Sequence, residues 1–351
     1  MNTDNKNPSA QIMLSLFVCS IAVPLLQNVY SKSNISFLLS VIASVVSVVF
    51  IFIMFIPTIL IGKKTGVDFI SFASRVTPNG IIFTASFYGL YLVYTAVYFL
   101  TNYTDMMSEK INPEANKYFI AFLILATCSY GAWKSANALT RCAVFLFSFF
   151  VISTIIIFSG NISNLNFSDL EYDWLISGSI SDFFSYVSYF EVGAVISIIF
   201  CCLSGGKNNF KFRRVAVTLA GFLTFLIVSL FFIYFVLGDF GKNQNFQVAT
   251  LSKASQLGSM RGFDSLYLIV STSSIFLLIS MLSVCMSKIV NCPGIFKISL
   301  GFCLAVFILY LCIESDYAVK EILFNTNIIM VLTIIGAIAI PCGYLLSLRR
   351  I

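Results

Sequence analysis

Few residues in this 351-residue chain could carry out chemistry, because it contains no histidine. A Ser-His-Asp triad, a histidine-ligated metal and an imidazole proton relay are therefore excluded. The ten cysteines form no paired CxxC spacing, so packing as small apolar side chains is expected rather than disulfides or a metal site. With no nucleophile–base pair and no phosphate-cradling loop, we predict neither an enzyme nor a cofactor. The remaining candidates are a glutamate, a row of tyrosines and a run of hydroxyl residues.

The composition places these candidates in a membrane. The chain is 59% hydrophobic and 10% charged, with a mean hydropathy of +0.95, whereas about 25% of a globular domain is charged. A water-soluble fold could not bury so much apolar surface. We therefore predict an all-α polytopic membrane protein.

Ten apolar runs approach the length of about 20 residues that crosses a hydrocarbon core of about 30 Å. They are Gln11–Tyr30, Ser36–Gly62, Gly80–Thr101, Tyr118–Trp133, Cys142–Gly160, Phe183–Leu203, Val215–Leu237, Phe263–Met286, Ile295–Ile313 and Thr326–Leu346. The chain then divides into a short N-terminus (1–10), spans one to five (11–160), an outer loop (161–182), spans six to ten (183–346) and a C-terminus (347–351). No cleavable signal is expected before the first span.

The charges of the loops predict the orientation. If both termini are cytoplasmic, fourteen of the 21 basic residues lie inside. These residues are Lys6, Lys63, Lys64, Arg75, Lys134, Arg141, Lys207, Lys211, Arg213, Arg214, Lys288, Lys297, Arg349 and Arg350. Because basic loops are retained on the cytoplasmic side, we predict cytoplasmic termini, and we interpret the net charge of +6 as orientation rather than binding of nucleic acid.

The two five-span halves show signs of an inverted repeat. An odd number of spans in each half gives the halves opposite orientations, as in many transporters. The inner loop after span two carries Phe69, Phe72, Ala73 and Val76 at helical spacing, and the outer loop after span seven carries Val248, Leu251, Ala254 and Leu257. A short interfacial helix in matching loops is what such a repeat would produce.

The first span of each half also contains a sequence that can interrupt a helix. Span one has Pro24 after Cys19–Val23, and span six has Gly193 after Tyr189–Val192. Proline removes one backbone donor and clashes with the preceding turn, although a simple kink and close helix packing are the alternatives. We predict helix breaks at Pro24 and Gly193, which would free backbone groups for a ligand.

Glu191 is the acidic residue deep within a predicted span, whereas Asp264 stands at the very start of span eight. An ionised carboxylate at mid-bilayer costs at least about 2.5 kcal/mol, so it should face protein or water. Three interpretations remain open: a protonated structural hydrogen bond, a site for a cationic ligand or coupling proton, or a depth nearer the membrane edge.

Two rows of hydroxyl groups lie in other spans. Span three carries Tyr88, Tyr91, Tyr94 and Tyr98, of which the last three share one helix face. These tyrosines either direct their hydroxyls into a cavity or bond to neighbouring helices. Span eight carries Ser271–Ser274, which either line the cavity or join helices.

Several short motifs resemble a known family, the B subunit of endospore germinant receptors (spore germination permeases). The clearest are Val236-Leu237-Gly238 and Met260-Arg261-Gly262-Phe263-Asp264-Ser265-Leu266, which are similar to a family segment spanning the outer loop before span eight. Further similar stretches are Asp68–Arg75, Tyr189–Glu191, Leu139–Arg141 and Asn161–Leu170. The resemblance covers nearly the whole chain. At three-residue spacing, Arg261 and Asp264 are expected to form a structural ion pair.

The resemblance implies a fold and a site. The family belongs to the amino acid–polyamine–organocation superfamily, with the five-plus-five leucine-transporter fold and broken helices one and six. Its pocket lies between spans one, three, six and eight. By position, the implied ligand-binding residues are Cys19, Ser20, Ile21, Ala22, Tyr91, Tyr94, Tyr189, Glu191, Gly193, Ser271 and Ser274. Relatives usually have a glycine in the break of span one, and Cys19–Ala22 has none.

The resemblance also implies a function. The chain would be a receptor subunit in a spore inner membrane, binding an amino acid or similar small nutrient and signalling through an A subunit and a lipoprotein C subunit. The alternatives are an amino acid permease coupled to protons or sodium, and a scaffold that has lost its ligand.

Overall fold

The computed structural model describes residues 9–26, 36–76, 80–167, 179–191, 194–204, 211–242, 244–290 and 295–347. Nearly all of these residues are helical. The helices are α1 (Ser9–Leu26), α2 (Phe37–Thr65), α3 (Phe69–Val76), α4 (Gly80–Met106), α5 (Lys117–Trp133), α6 (Ala136–Ser159), α7 (Ile180–Glu191), α8 (Val195–Leu203), α9 (Phe212–Phe232), α10 (Gly238–Lys242), α11 (Gln247–Ala254), α12 (Asp264–Val290), α13 (Ile295–Glu314), α14 (Tyr317–Leu323), α15 (Thr326–Ile334) and α16 (Ile340–Ser347). A two-residue hairpin pairs β1 (Gln256–Leu257) with β2 (Met260–Arg261).

Within the described residues, seven helical stretches are long and apolar enough to cross a membrane. They are Phe37–Thr65, Ile82–Ile111, Ala136–Asn164, Phe212–Leu237, Asp264–Val290, Phe296–Glu314 and Asn327–Ser347. Two shorter apolar helices, Ala10–Leu26 and Lys117–Trp133, correspond to the first and fourth predicted spans. The predicted all-α polytopic membrane fold is therefore confirmed, while the count of ten spans and the five-plus-five repeat stay predictions.

Helix α12 lies at the centre of the bundle. It packs against α1, α4, α5, α6 and α13, and most of its residues are buried. Helix α1 packs against α6, α9 and α12, and it also contacts α4 and α8. Since α12 contacts helices on several sides, small side chains suit it, and Ser271, Ser274, Ser280 and Ser283 are all buried.

The two short helices predicted in the loops are present. Helix α3 buries Phe69, Ile70, Phe72 and Ala73, and α11 buries Val248 and Leu251. The prediction for the second helix was wrong at its end: Ala254 and Leu257 are exposed, because α11 stops at Ala254 and the chain continues into the β1–β2 hairpin.

Three spans contain a π-helical turn. These turns are Met107–Ile111 at the end of α4, Ile233–Leu237 after α9 and Ile335–Ala339 between α15 and α16. A π turn inserts one extra residue into a helix and changes which backbone carbonyl groups are paired. The sequence analysis did not predict any of the three.

The two ends of the bundle differ in charge. The basic end carries Lys63, Lys64, Arg75, Lys134, Arg141, Lys211, Arg213, Arg214, Lys288 and Lys297. Among the described residues, this end has one acidic side chain, that of Asp68. The acidic end carries Asp105, Glu109, Glu114, Asp182, Asp264, Glu314, Asp316 and Glu321, with Lys110, Lys117, Lys253, Arg261 and Lys320. This separation follows the predicted sorting of loops, and the direction of the bundle in the membrane stays a prediction.

Candidate functional site

The predicted binding residues of span one lie on an unbroken helix. Cys19, Ser20, Ile21 and Ala22 are all buried in the middle of α1. The prediction of a break at Pro24 was wrong, because α1 continues through this residue to Leu26. A proline removes only one backbone hydrogen bond, and in a membrane helix neighbouring groups compensate for that loss. The hydroxyl of Ser20 stays local and donates to the Phe17 carbonyl at 2.7 Å.

The sixth predicted span is described as two helices. Helix α7 ends at Glu191 and α8 begins at Val195. Gly193, and the side chains of Tyr189 and Glu191, lie outside the described residues, so their predicted roles stay predictions. All of α8 from Val195 to Leu203 is buried, and it packs against α1 and α12.

The tyrosines of α4 bind the tenth span and the helix α14 that precedes it. The Tyr88 hydroxyl donates to the Gly336 carbonyl at 2.7 Å, and Tyr91 shares a hydrogen bond of 2.9 Å with Thr333. Tyr94 donates to the Leu323 carbonyl. Of the two interpretations of this row, the structure agrees with bonding to neighbouring helices. Contact of Tyr91 and Tyr94 with a ligand stays a prediction.

A close helix crossing lies beside Tyr88. A Cβ atom at Gly336 would lie 3.1 Å from Ile198 Cδ1 and 3.2 Å from Phe87 Cε1. Glycine therefore lets the tenth span approach α4 and α8 at this point, and its carbonyl sits within the π turn where Tyr88 can reach it.

Within the run Ser271–Ser274 of α12, two of the four hydroxyl groups make local bonds. Ser271 donates to the Leu268 carbonyl and Ser273 to the Val270 carbonyl, each at 3.0 Å. Thr272 instead bonds Tyr103 of α4 at 2.7 Å. Ser274 is 1% exposed, and no hydrogen bond links its hydroxyl to the rest of the described chain. Of the predicted binding residues, Ser271 and Ser274 thus retain hydroxyls that a ligand could engage without separating helices.

Sequence reasoning missed two tyrosines that join the helices of this region. Tyr267 of α12 donates to the Leu25 carbonyl at 2.6 Å, which satisfies a carbonyl in the last turn of α1. Tyr103 joins α4 to α12 through Thr272. Both stand at predicted span ends, where a tyrosine signals an interfacial position rather than a helix contact.

A small apolar cavity lies beside the last turn of α1. Its volume is about 20 Å³, which is roughly the room needed for one water molecule. Its lining is Leu25, Phe150, Ser153, Thr154, Ile157, Phe158, Phe225, Val248, Tyr267 and Val270. None of the predicted binding residues lines this cavity.

Four charged residues form an ion-pair ring at the acidic end, which the sequence analysis also missed. Lys117 contacts Asp105 at 2.6 Å and Glu314 at 3.2 Å, and Lys320 contacts each carboxylate at 2.9 Å. The ring thereby ties together α4, α5, α13 and α14. By contrast, the expected pair of Arg261 and Asp264 is not among the ion pairs of the described residues.

The comparisons with known proteins support a transporter-like fold. A search with protein-family models and a search of curated proteins give no match. Among solved structures, the chain is similar to a Na⁺-coupled sialic acid symporter in a substrate-bound, outward-open state. The TM-score is 0.60 at 12% sequence identity, over 94% of this chain and 79% of that chain. Likeness at this identity shows the fold alone. The chain is thus a multi-pass membrane protein with the fold of a secondary transporter.

Proposed function

We propose that this protein is the transporter-like membrane subunit of a spore germinant receptor. It binds an amino acid or similar small nutrient within the helix bundle and signals through A and C (lipoprotein) partner subunits in the spore inner membrane. The proposal joins the resemblance of the motifs to the transporter-like fold.

One observation carries the binding part of the proposal. Helix α1, which holds Cys19–Ala22, packs against α12, which holds Ser271 and Ser274, and it contacts α4, which holds Tyr91 and Tyr94. It also contacts α8, the helix that follows Gly193 in the chain. Cys19–Ala22 are all buried. A ligand held there would contact several helices at once, and its binding could therefore change their relative positions.

The chemistry of this region fits a small polar ligand. Ser271 and Ser274 of α12 offer hydroxyl groups that are not committed to other helices. Glu191, at the end of α7, is the acidic residue that would pair with a ligand's ammonium group. Ligand recognition by one carboxylate and a few hydroxyls in an apolar setting is typical of small-molecule sites.

An amino acid permease is the second candidate. The likeness to a Na⁺-coupled symporter favours it, because that protein has the same fold. The physical difference is whether the ligand only shifts a conformational equilibrium or is released on the other side. Uptake and stabilisation must therefore be measured on the same sample.

The test uses the full chain, purified and reconstituted in liposomes. Amino acids are screened for an increase in the temperature of thermal unfolding, and each hit is then followed for uptake under an imposed sodium or proton gradient. We expect stabilisation without uptake, and loss of stabilisation in Glu191→Gln. The matched control is Glu114→Gln, an exposed acid of the acidic end.

Each outcome separates the candidates. Gradient-driven uptake would make the protein a permease and overturn the receptor proposal. No stabilisation by any amino acid would overturn the proposed nutrient binding and favour a scaffold. Equal stabilisation of both variants and the wild type would remove Glu191 from the binding site.

A further inference from the structure

An aromatic and basic cluster occupies the basic end, where the end of α5 packs against the start of α13. The rings of Tyr130 and Trp133 lie 5.9 Å apart, and Trp133 lies 5.4 Å from Phe296 of α13. The Lys134 ammonium stands over both α5 rings, at 5.2 Å from Tyr130 and 4.8 Å from Trp133. Lys297 follows Phe296 and is also exposed.

These aromatic side chains are exposed although they are large. The exposed fractions are 58% for Tyr130, 48% for Trp133 and 47% for Phe296. Below them, an apolar strip of exposed residues continues along both helices. It consists of Phe119, Phe122 and Leu123 on α5 and Leu300, Leu304 and Ile308 on α13. A surface of this form matches a lipid, with acyl chains on the strip and the headgroup at the aromatic rim.

The charges around the cluster favour a lipid headgroup with net negative charge over a zwitterionic one. Lys134 and Lys297 have no acidic partner in the described chain, and the acidic residue described at this end, Asp68, belongs to the connection between α2 and α3. The ring faces that could hold a choline group are already covered by the Lys134 ammonium. A second ammonium would meet like charge, whereas a headgroup phosphate with net negative charge would be attracted.

The backbone at the start of α6 adds to the attraction of a headgroup phosphate. Helix α6 begins at Ala136, one residue after Ser135, whose φ of 91° and ψ of 160° turn the chain sharply. The Ser135 side chain makes no capping bond, so the first N–H groups of α6 are left for another acceptor.

We propose that the cluster of Tyr130, Trp133, Lys134, Phe296 and Lys297 is a binding site for an anionic phospholipid. The phosphate lies between the two lysines, and the acyl chains cover the apolar strip of α5 and α13. This proposal does not depend on the receptor proposal, since it concerns the lipid-facing surface and not the interior of the bundle.

The test follows the fluorescence of Trp133 in full-length protein carrying Trp174→Phe, because the chain has two tryptophans. The protein is reconstituted in phosphatidylcholine with increasing fractions of brominated phosphatidylglycerol or, in parallel, brominated phosphatidylcholine of the same acyl chains. We expect half-quenching at a several-fold lower fraction of the anionic lipid. Lys134→Gln and Lys297→Gln should each reduce the preference for the anionic lipid over phosphatidylcholine roughly fivefold. This is the usual effect of one basic residue at an anionic surface.

The matched control is Lys63→Gln. Lys63 also stands over an aromatic ring at the basic end, 4.2 Å from Phe212, but outside the cluster. It should keep the full preference. Equal quenching by both lipids would overturn the proposal, and so would an equal loss in Lys63→Gln, which would mean diffuse attraction. Relief of quenching by inorganic phosphate at millimolar concentration would also overturn it, because the occupant would then be free phosphate.

Discussion

Helices α4 and α12 pack against each other and both carry rows of hydroxyl groups, yet they use them differently. The long tyrosine side chains of α4 bond the tenth span and the last residue of α14 before it. In the run Ser271–Ser274 of α12, Ser271 and Ser273 bond to their own helix. Bonds between helices hold the fold, whereas a bond within one turn can be exchanged for a ligand at little cost in stability.

This difference between α4 and α12 divides the predicted binding residues into those that already bond another helix and those that do not. Tyr91 and Tyr94 already have partners in α14 and α15, so a ligand that used their hydroxyls would have to release the tenth span. The hydroxyls of Ser271 and Ser274 bond to no other helix of the described chain, so a ligand could engage them without releasing one. We therefore expect substitutions on α4 to act first on stability, and substitutions on α12 to act first on ligand response.

The largest effect should come from the end of α4. Replacing Asp105 by Asn removes both of its ion pairs, with Lys117 and Lys320, and leaves the two lysines sharing Glu314. Because these side chains are between 12% and 32% exposed, we expect a loss of about 2 kcal/mol in the free energy of unfolding, between the values for exposed and buried pairs. Unfolding by a denaturing detergent measures it.

A charge exchange checks the origin of that loss. Reversing all four charges, in Asp105→Lys, Lys117→Asp, Glu314→Lys and Lys320→Asp, keeps an opposite charge at every contact of the ring, so it should recover part of the stability. If Asp105→Asn is as stable as the exposed control Glu114→Gln, the ring contributes nothing and α4 is not anchored at this end.

An intermediate effect is expected in the middle of α4. Tyr88→Phe removes the donor to the Gly336 carbonyl without changing the ring that fills the core. A hydrogen bond between membrane helices is worth about 0.6 kcal/mol on average and up to about 1.7. We expect a loss of about 1 kcal/mol, since the carbonyl lies in a π turn and Tyr88 is fully buried. Ligand response should be unchanged at a temperature where the variant is folded.

The smallest effect on stability, with the clearest effect on binding, is expected on α12. Ser274→Ala removes a buried hydroxyl that has no partner in the described chain, so the free energy of unfolding should change by less than about 0.5 kcal/mol. Thermal stabilisation by the amino acid found in the liposome screen should weaken by several-fold. The matched control is Ser273→Ala, whose hydroxyl bonds the Val270 carbonyl. Equal ligand responses of the two variants would place Ser274 outside the site.

The sequence could predict the elements better than their contacts. Length and hydropathy locate the spans because crossing a membrane imposes a minimum apolar length on each helix. The fourth span was predicted as Tyr118–Trp133, and α5 runs from Lys117 to Trp133. The short amphipathic helix α3 was also predictable, since its apolar residues repeat at helical spacing.

The partners of the polar side chains could not be predicted in the same way. The ring of Asp105, Lys117, Glu314 and Lys320 joins residues that are up to 215 positions apart, and no local pattern pairs them. Pro24 does not break α1, because a proline only weakens a helix, while the surrounding helices decide whether that helix continues.

The glycine crossing of the tenth span has a mechanical consequence. At Gly336 the span touches α4 and α8 closely, so this point is a fulcrum with an arm on either side. Each arm is about 10 residues long, or roughly 15 Å at the rise of a helix. A tilt of about 10° would therefore displace the two ends by about 2–3 Å in opposite directions. That displacement would open the hydrogen bond between Thr84 and Tyr344 at one end. At the other end it would move the start of the span at Thr326, which follows α14 and its Lys320–Asp105 contact by a few residues, so the two ends of the protein would change in concert.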